Sequence, residues 1–357
     1  MMADIPLPSV APLLDRAIAN RVFPGAVLEV GRTNGRLATI ARGSQTYAPP
    51  ARAVDPDTIY DLASLTKVIA TAALMAGEFA AGRMRLNDRV RHWIPQWTGE
   101  DRQIVTLQDL LEHASGLPAH RPYYLSRRAR AAIELAICEE PLDYLPRTQS
   151  IYSDPGFMLL GFALENAGAA PIDRQFHAWR DRELGADVEV RYVPGPGWLD
   201  RIAPTENTPS GDELRGVVHD ENAAALAGVA AHAGLFGTAA AVGACARWWL
   251  RSPNLPLFAT KTNVPGSSRA LAWDTMLPTS SCGTKLSPSA IGHTGFTGTS
   301  LWLDPARDLY VVFLSNRVHP SRQNTDGMQA VRRALHDAIV TDLEDGAAAA
   351  GSAAGTG

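Results

Sequence analysis

The sequence predicts an α+β fold: one antiparallel sheet built from both chain ends and flanked by helices, with a mostly helical domain inserted between them. Three observations carry this. Strand-like runs cluster near the N terminus around Asn34-Gly35, and again near the C terminus around Asp304-Pro305. Between them, from Leu86 to about Arg182, the apolar spacing is mostly helical.

The elements follow in order. Pro8 to Ile18 places Val10, Leu13, Leu14 and Ile18 at helical spacing. Gly25 to Gly31 and Arg36 to Gly43 read as strands, because Asn-Gly between apolar runs is a strong hairpin signal. Asp57 to Asp61 reads as a further short strand, and Leu65 to Ala81 as a long apolar helix. Thr106 with Asp109 resembles a capping box ahead of a short helix. Tyr192 to Asp220 is rich in Pro, Gly and Asp and reads as a long loop, of the kind that often carries function. Thr238 caps a helix running to Trp249. Strands over Ser300 to Leu303 and Leu309 to Ser315 precede a closing helix from about Thr325 to Leu343. The expected domains are a sheet domain of residues 5–70 and 220–343 and an inserted helical domain of residues 71–219. The Ala/Gly/Ser/Thr tail of residues 346–357 is expected to be disordered.

Composition narrows the function. The 357 residues are 46% hydrophobic and 20% charged, with a net charge of −4. That balance argues against nucleic acid or an anionic membrane as partner. No apolar run is long enough to span a bilayer. No basic run followed by an apolar stretch opens the chain, and three scattered cysteines suit a reducing compartment, so the expectation is cytoplasmic. Oligomeric state is not legible.

The segment with the clearest chemistry is Tyr60-Asp61-Leu62-Ala63-Ser64-Leu65-Thr66-Lys67. A serine hydroxyl needs a nearby base to act as a nucleophile. Residues three apart share one helix face, so Ser64 and Lys67 can meet. A serine that opens a helix also has a free N–H, at the positive end of the helix dipole, to stabilise an oxyanion. Ser-x-x-Lys alone is common by chance. Here the lysine sits among Leu62, Ala63, Val68, Ile69 and Ala70, where a charge is unexpected without a role. Burial would lower its pKa and let it accept a proton.

Two further segments, Tyr152-Ser153-Asp154 and His293-Thr294-Gly295, follow in order. Together the three resemble the active-site motifs of the penicillin-recognising serine hydrolases, whose Ser-x-x-Lys is well known. The order and spacing resemble the class C β-lactamase branch with its esterase and DD-peptidase relatives. Leu110 to Leu117, Val218 to Ala223 and His232 to Phe236 resemble that branch too. The resemblance implies a class C β-lactamase-like fold and no metal or organic cofactor. It implies that Ser64 is acylated, that Lys67 and Tyr152 share proton transfer, and that the N–H groups of Ser64 and Phe296 form the oxyanion hole. Asp154, His293, Thr294 and Gly295 would face the substrate.

Two departures matter. Asp154 stands where the family has Asn, so it can pair with Lys67, raise its pKa and leave more base work to Tyr152. His293 stands where the family has Lys, replacing a fixed charge by a mostly neutral ring. Both changes predict a less cationic site. The expectation is therefore a carboxylic-ester hydrolase or D-amino-acid peptidase-like enzyme acting on a small ester, amide or peptide without an essential carboxylate, rather than an efficient β-lactamase. The alternatives are a true class C-type β-lactamase, a catalytically silent peptide-binding relative, or an enzyme that transfers its acyl group to an alcohol or amine. Of the other histidines, His113 reads as a helix C-terminal residue, His219 beside Asp220 as a loop anchor rather than a dyad, and His232 as a packing residue.

Overall fold

The structure is a computed structural model that describes residues 4–127 and 129–354. The N-terminal half contains α1 (Val10–Ala19), β1 (Gly25–Arg32), β2 (Gly35–Gly43), β3 (Tyr60–Asp61) and α2 (Ala72–Ala80). The helical middle contains α3 (Val90–Trp93), α4 (Leu107–Leu111), α5 (Arg130–Glu139), α6 (Asp154–Gly168) and α7 (Ile172–Glu183). Then come β4 (Val190–Tyr192), α8 (Glu221–Ala225), β5 (Leu235–Gly237), α9 (Ala239–Arg251) and α10 (Leu255–Ala259). The chain closes with β6 (Asp274–Thr275), β7 (Ile291–Thr294), β8 (Ser300–Asp304), β9 (Leu309–Ser315) and α11 (Met328–Ala354).

The main sheet has the order β2-β1-β9-β8-β7-β6, every pairing antiparallel, so both chain ends build it as expected. Successive strand residues face opposite sides. In β1 and β9, Ala26, Leu28, Val30, Val311 and Phe313 pack under α1 and α11, while Val27, Val312 and Leu314 face a larger core containing α2, α6 and α9. Such a sheet, covered on both faces, is a rigid support for residues at its edge and ends. The capping box at Thr106 forms, with Asp109 bonding back to the Thr106 N–H, and Thr238 caps α9.

Three details differ from the sequence reading. A second sheet exists, β3-β5-β4, because strands of two and three residues are too short to show a period. The predicted regular helix after Ser64 begins with a wide π turn over Lys67–Thr71; such turns are frequent at functional sites. It is held at one end by the Lys67 ammonium and at the other by Thr71 Oγ1, which donates to Ala231 O at 2.7 Å. Lastly, α11 continues to Ala354, into the stretch from Gly346 expected to be disordered, in line with the strong helix propensity of its alanines. Residues 355–357 lie outside the described part.

Candidate functional site

The site forms where β3, the start of the π turn, the N terminus of α6 and the end of β7 converge. The turn before Ser64 is held tightly. Ala63 takes a left-handed φ of 47°, unusual for a residue with a Cβ. The Asp61 carboxylate holds it there, accepting the Ala63 N–H at 2.8 Å and the His219 N–H at 2.7 Å. Burial pushes the Asp61 carboxyl up to about 6, against those two bonds. Leu62 N–H pairs with Leu235 O, and Thr297 Oγ1 donates to Asp61 O. The second sheet thus fixes the entry to the nucleophile.

Lys67 is fully buried, and its ammonium spends all three donors. They go to Ser64 Oγ at 3.0 Å, Asp154 Oδ1 at 2.7 Å and His232 O at 3.0 Å. Burial works to lower its pKa, but Asp154 and then Tyr152 outweigh burial and carry it above the ordinary lysine value. Lys67 is therefore paired with Asp154, and its shift runs opposite to that of a lysine perturbed by burial alone. Asp154 reaches it because Ser153 caps α6, accepting the Gly156 N–H at 3.1 Å, which puts Asp154 on the first turn.

Tyr152 lies over the same ammonium, its ring centroid 4.8 Å from Lys67 Nζ. Burial raises the phenol pKa; Lys67 and Ser64 pull it down and Asp154 pushes it up. His113 locates the ring: it packs 4.6 Å from Tyr152 while its Nδ1 accepts the Ser153 N–H at 2.9 Å. It sits just past α4 as expected, but serves this loop rather than the helix carbonyls.

His293 and Thr294 end β7 beside Ser64, Gly295 follows them, and all three line a cavity of about 600 Å³ with Ser64 and Tyr152. His293 is buried, with Nδ1 against Thr294 O at 2.9 Å; burial, Lys67 and Arg269 hold it neutral. Gly295 permits the closest approach, because a Cβ there would fall 2.7 Å from Leu62 O. Next to it, Phe296 is half exposed. Among the described residues, neither the Ser64 nor the Phe296 N–H has a hydrogen-bond acceptor. The structure therefore brings every predicted site residue to one cleft.

Sequence reasoning missed the arginines. Arg269, Arg317 and Arg332 line the same cavity, and among the described residues none is in an ion pair. Arg269 lies 5.2 Å over the Tyr152 ring, and Arg317 4.7 Å over Phe296. Arg332 donates to Thr299 O at 2.7 Å; burial and Arg317 depress it to about 9, still charged at neutral pH. The expectation of a less cationic site is corrected: the charge missing from His293 is supplied by side chains outside any motif. No signal in one sequence marks them. His219 and Asp220 form no dyad either. Asp220 caps α8 and pairs with His232 at 2.8 Å, while His219 stacks 5.6 Å from Phe296. Among the described residues, no cluster of three or more His, Cys, Asp or Glu side chains could hold a metal, and no helix is long and apolar enough to cross a membrane.

Comparisons with known proteins converge. The Beta-lactamase family profile matches residues 10–335. A Salmonella gallinarum protein named "Putative D-alanyl-D-alanine carboxypeptidase" is 33% identical over 322 residues, covering 78% of this chain and 73% of that protein. Among solved structures, the hydrolase EstCE1, described as having promiscuous acyltransferase activity, superposes with a TM-score of 0.74 at 19% identity, covering 92% of this chain and 97% of EstCE1. A class C β-lactamase from Rhodobacter sphaeroides gives 0.75 at 18%, covering 94% and 99%. Those two likenesses show the fold.

Proposed function

The chain belongs to the Beta-lactamase family of serine hydrolases, and we propose that it works through a covalent acyl-enzyme on Ser64, cleaving short D-amino-acid peptides and related amides and esters. One observation carries the reading. Ser64 Oγ lies 3.0 Å from a buried ammonium, at a cavity wall, beside two N–H groups with no acceptor of their own.

Ser64 Oγ attacks the carbonyl carbon, and the developing oxyanion is held by the Ser64 and Phe296 N–H groups. Lys67 stays protonated. Its charge holds Tyr152 as the phenolate, which takes the hydroxyl proton as Ser64 Oγ attacks. Tyr152 then returns that proton to the leaving amine or alcohol as the acyl–N or acyl–O bond breaks. Water attacks the ester on Ser64 by the same route in reverse. The carboxypeptidase-named relative supports an amide bond between D-amino acids as the target. The three arginines favour a second reading as well, because a β-lactam carries a carboxylate that they could hold.

A fluorophosphonate probe tests the core claim. It is expected to add one adduct mass to the wild-type chain and none to Ser64→Ala. An unlabelled wild type would end the proposal and leave the silent peptide-binding relative in its place. Parallel rates on nitrocefin, p-nitrophenyl butyrate and D-alanyl-D-alanine rank the substrate classes; nitrocefin ahead of both others would favour the β-lactamase reading.

A further inference from the structure

Phe296 divides the cleft into two walls of opposite charge. On one side are Arg269, Arg317 and Arg332, facing a single carboxylate, Asp274. On the other is a smaller cavity of about 340 Å³, also open to Ser64 and Tyr152 and lined by Asp220, Glu221, His219 and Arg322. Arg322 is shared between two carboxylates, Glu206 at 2.7 Å and Glu221 at 2.8 Å, so one of those charges remains in excess, and Asp220 beside them shares only the His232 ring, at 2.8 Å. Burial opposes ionisation of Asp220, but the His232 contact and the Ala223 N–H keep it charged. Both volumes suit small ligands.

Each wall also has polar atoms waiting for a partner. His219 is 5% exposed, and neither ring nitrogen has a hydrogen bond among the described residues; Nε2 lies 4.0 Å from a Glu206 oxygen. On the cationic side, Arg332 Nε and His293 Nε2 are likewise buried and unbonded. Arg317 and Arg332 repel one another, a strain an anion would relieve.

We propose that the cleft sorts short zwitterionic peptides and aminoacyl compounds by charge. The half that acylates Ser64 carries an ammonium, read by Glu221 and Asp220, and the half that leaves carries a carboxylate, read by Arg269 with Arg317 and Arg332. The direction follows from the covalent order of a peptide: its ammonium always belongs to the acyl half and its carboxylate to the amine that leaves. This rests on the acyl-enzyme reading above and adds a substrate class to it. The reaction balances as ordinary hydrolysis: the C–N bond breaks, water supplies OH to the acyl carbon and H to the departing nitrogen. The walls then select length as well as charge, because both ends must reach their partners across one scissile bond.

The test uses four forms of an alanyl-alanine dipeptide, in both the D,D and L,L series: free, N-acetylated, C-amidated and doubly capped. The kcat/KM is measured for the wild type, Glu221→Gln and Arg269→Gln. The free dipeptide is expected to be best in one series, with each cap lowering kcat/KM about tenfold. Glu221→Gln is expected to shrink the N-acetyl penalty and leave the amide penalty; Arg269→Gln is expected to do the reverse. Capped forms cleaved as well as the free one would overturn the inference, as would both variants eroding both penalties equally. Fluorophosphonate labelling separates the levels. A chain that labels on Ser64 but shows no charge preference, or cleaves none of the four forms, loses only this inference; a chain that does not label loses the acyl-enzyme as well.

Discussion

Two of the molecule's buried ionic clusters differ instructively. At the cleft, Lys67 holds Asp154, Ser64 Oγ and His232 O with a fully buried ammonium. Under the main sheet, Glu29 accepts from the Tyr310 hydroxyl at 2.8 Å, with Arg247 beside both. Both contain titratable groups shifted from their ordinary pKa values. Of the two, the first adjoins a cavity lined by Ser64 and Phe296, whose N–H groups have no acceptor among the described residues. The second is closed over by α9, where a Cβ on Gly243 would collide with Glu29. A perturbed pKa therefore marks burial. Access and unspent hydrogen-bond capacity mark a site.

Substitutions sharpen that contrast, starting with the strongest. Lys67→Met is expected to lower kcat/KM by about 10³-fold or more, because the charge that stabilises the alkoxide and phenolate is gone. Its stability is expected to fall as well, by about 3–5 kcal/mol, because Asp154 loses its countercharge while staying mostly buried. Thermal unfolding alongside kinetics checks both. A variant that unfolds early while its folded fraction keeps wild-type rates would make Lys67 a structural residue like Arg247.

Gly295→Ala is expected to cost about 10²-fold in kcat. Its Cβ would press on Leu62 O and Ala63, shifting the Phe296 N–H by a few tenths of an ångström. Unchanged kcat would remove the Phe296 N–H from the oxyanion hole.

Asp154→Asn has a smaller effect with a definite sign. Asp154 raises the pKa of both Lys67 and Tyr152. Removing its charge lowers both, so the ascending limb of the kcat/KM profile is expected to move to lower pH. A limb that stays in place, or moves to higher pH, would separate Tyr152 from the base role.

What the sequence made legible follows from locality. Ser64 and Lys67 share a helical turn, and Tyr152 with Asp154 precedes an apolar helix, so their chemistry is written in short segments. The hairpin at Asn34-Gly35 and the cap at Thr238 are local in the same sense. The arginines are not. Arg269 bridges to β6, Arg317 follows β9 and Arg332 lies on α11, so they meet only through the tertiary fold, and no spacing encodes that. Asp61 was within the nucleophile segment but unremarkable until its oxygens met the N–H groups of Ala63 and His219. The error about site charge came from counting motif residues alone.

The smallest effect is expected at the closed cluster. Glu29→Gln keeps an acceptor for the Tyr310 hydroxyl and lies away from the cleft, so kcat/KM is expected to stay within about twofold. Its signature is in the pH dependence of stability. Burial raises the Glu29 pKa above 4.5, against the pull of Tyr310 and Arg247. Between the unfolded and the folded pKa the folded state binds more protons, so stability falls as pH rises through that window. The glutamine variant has no proton to lose, and its unfolding free energy is expected to be flatter across that window. Denaturant titrations at stepped pH check this. If Glu29→Gln instead abolished activity, the closed cluster would be coupled to the cleft, and access would no longer separate the two.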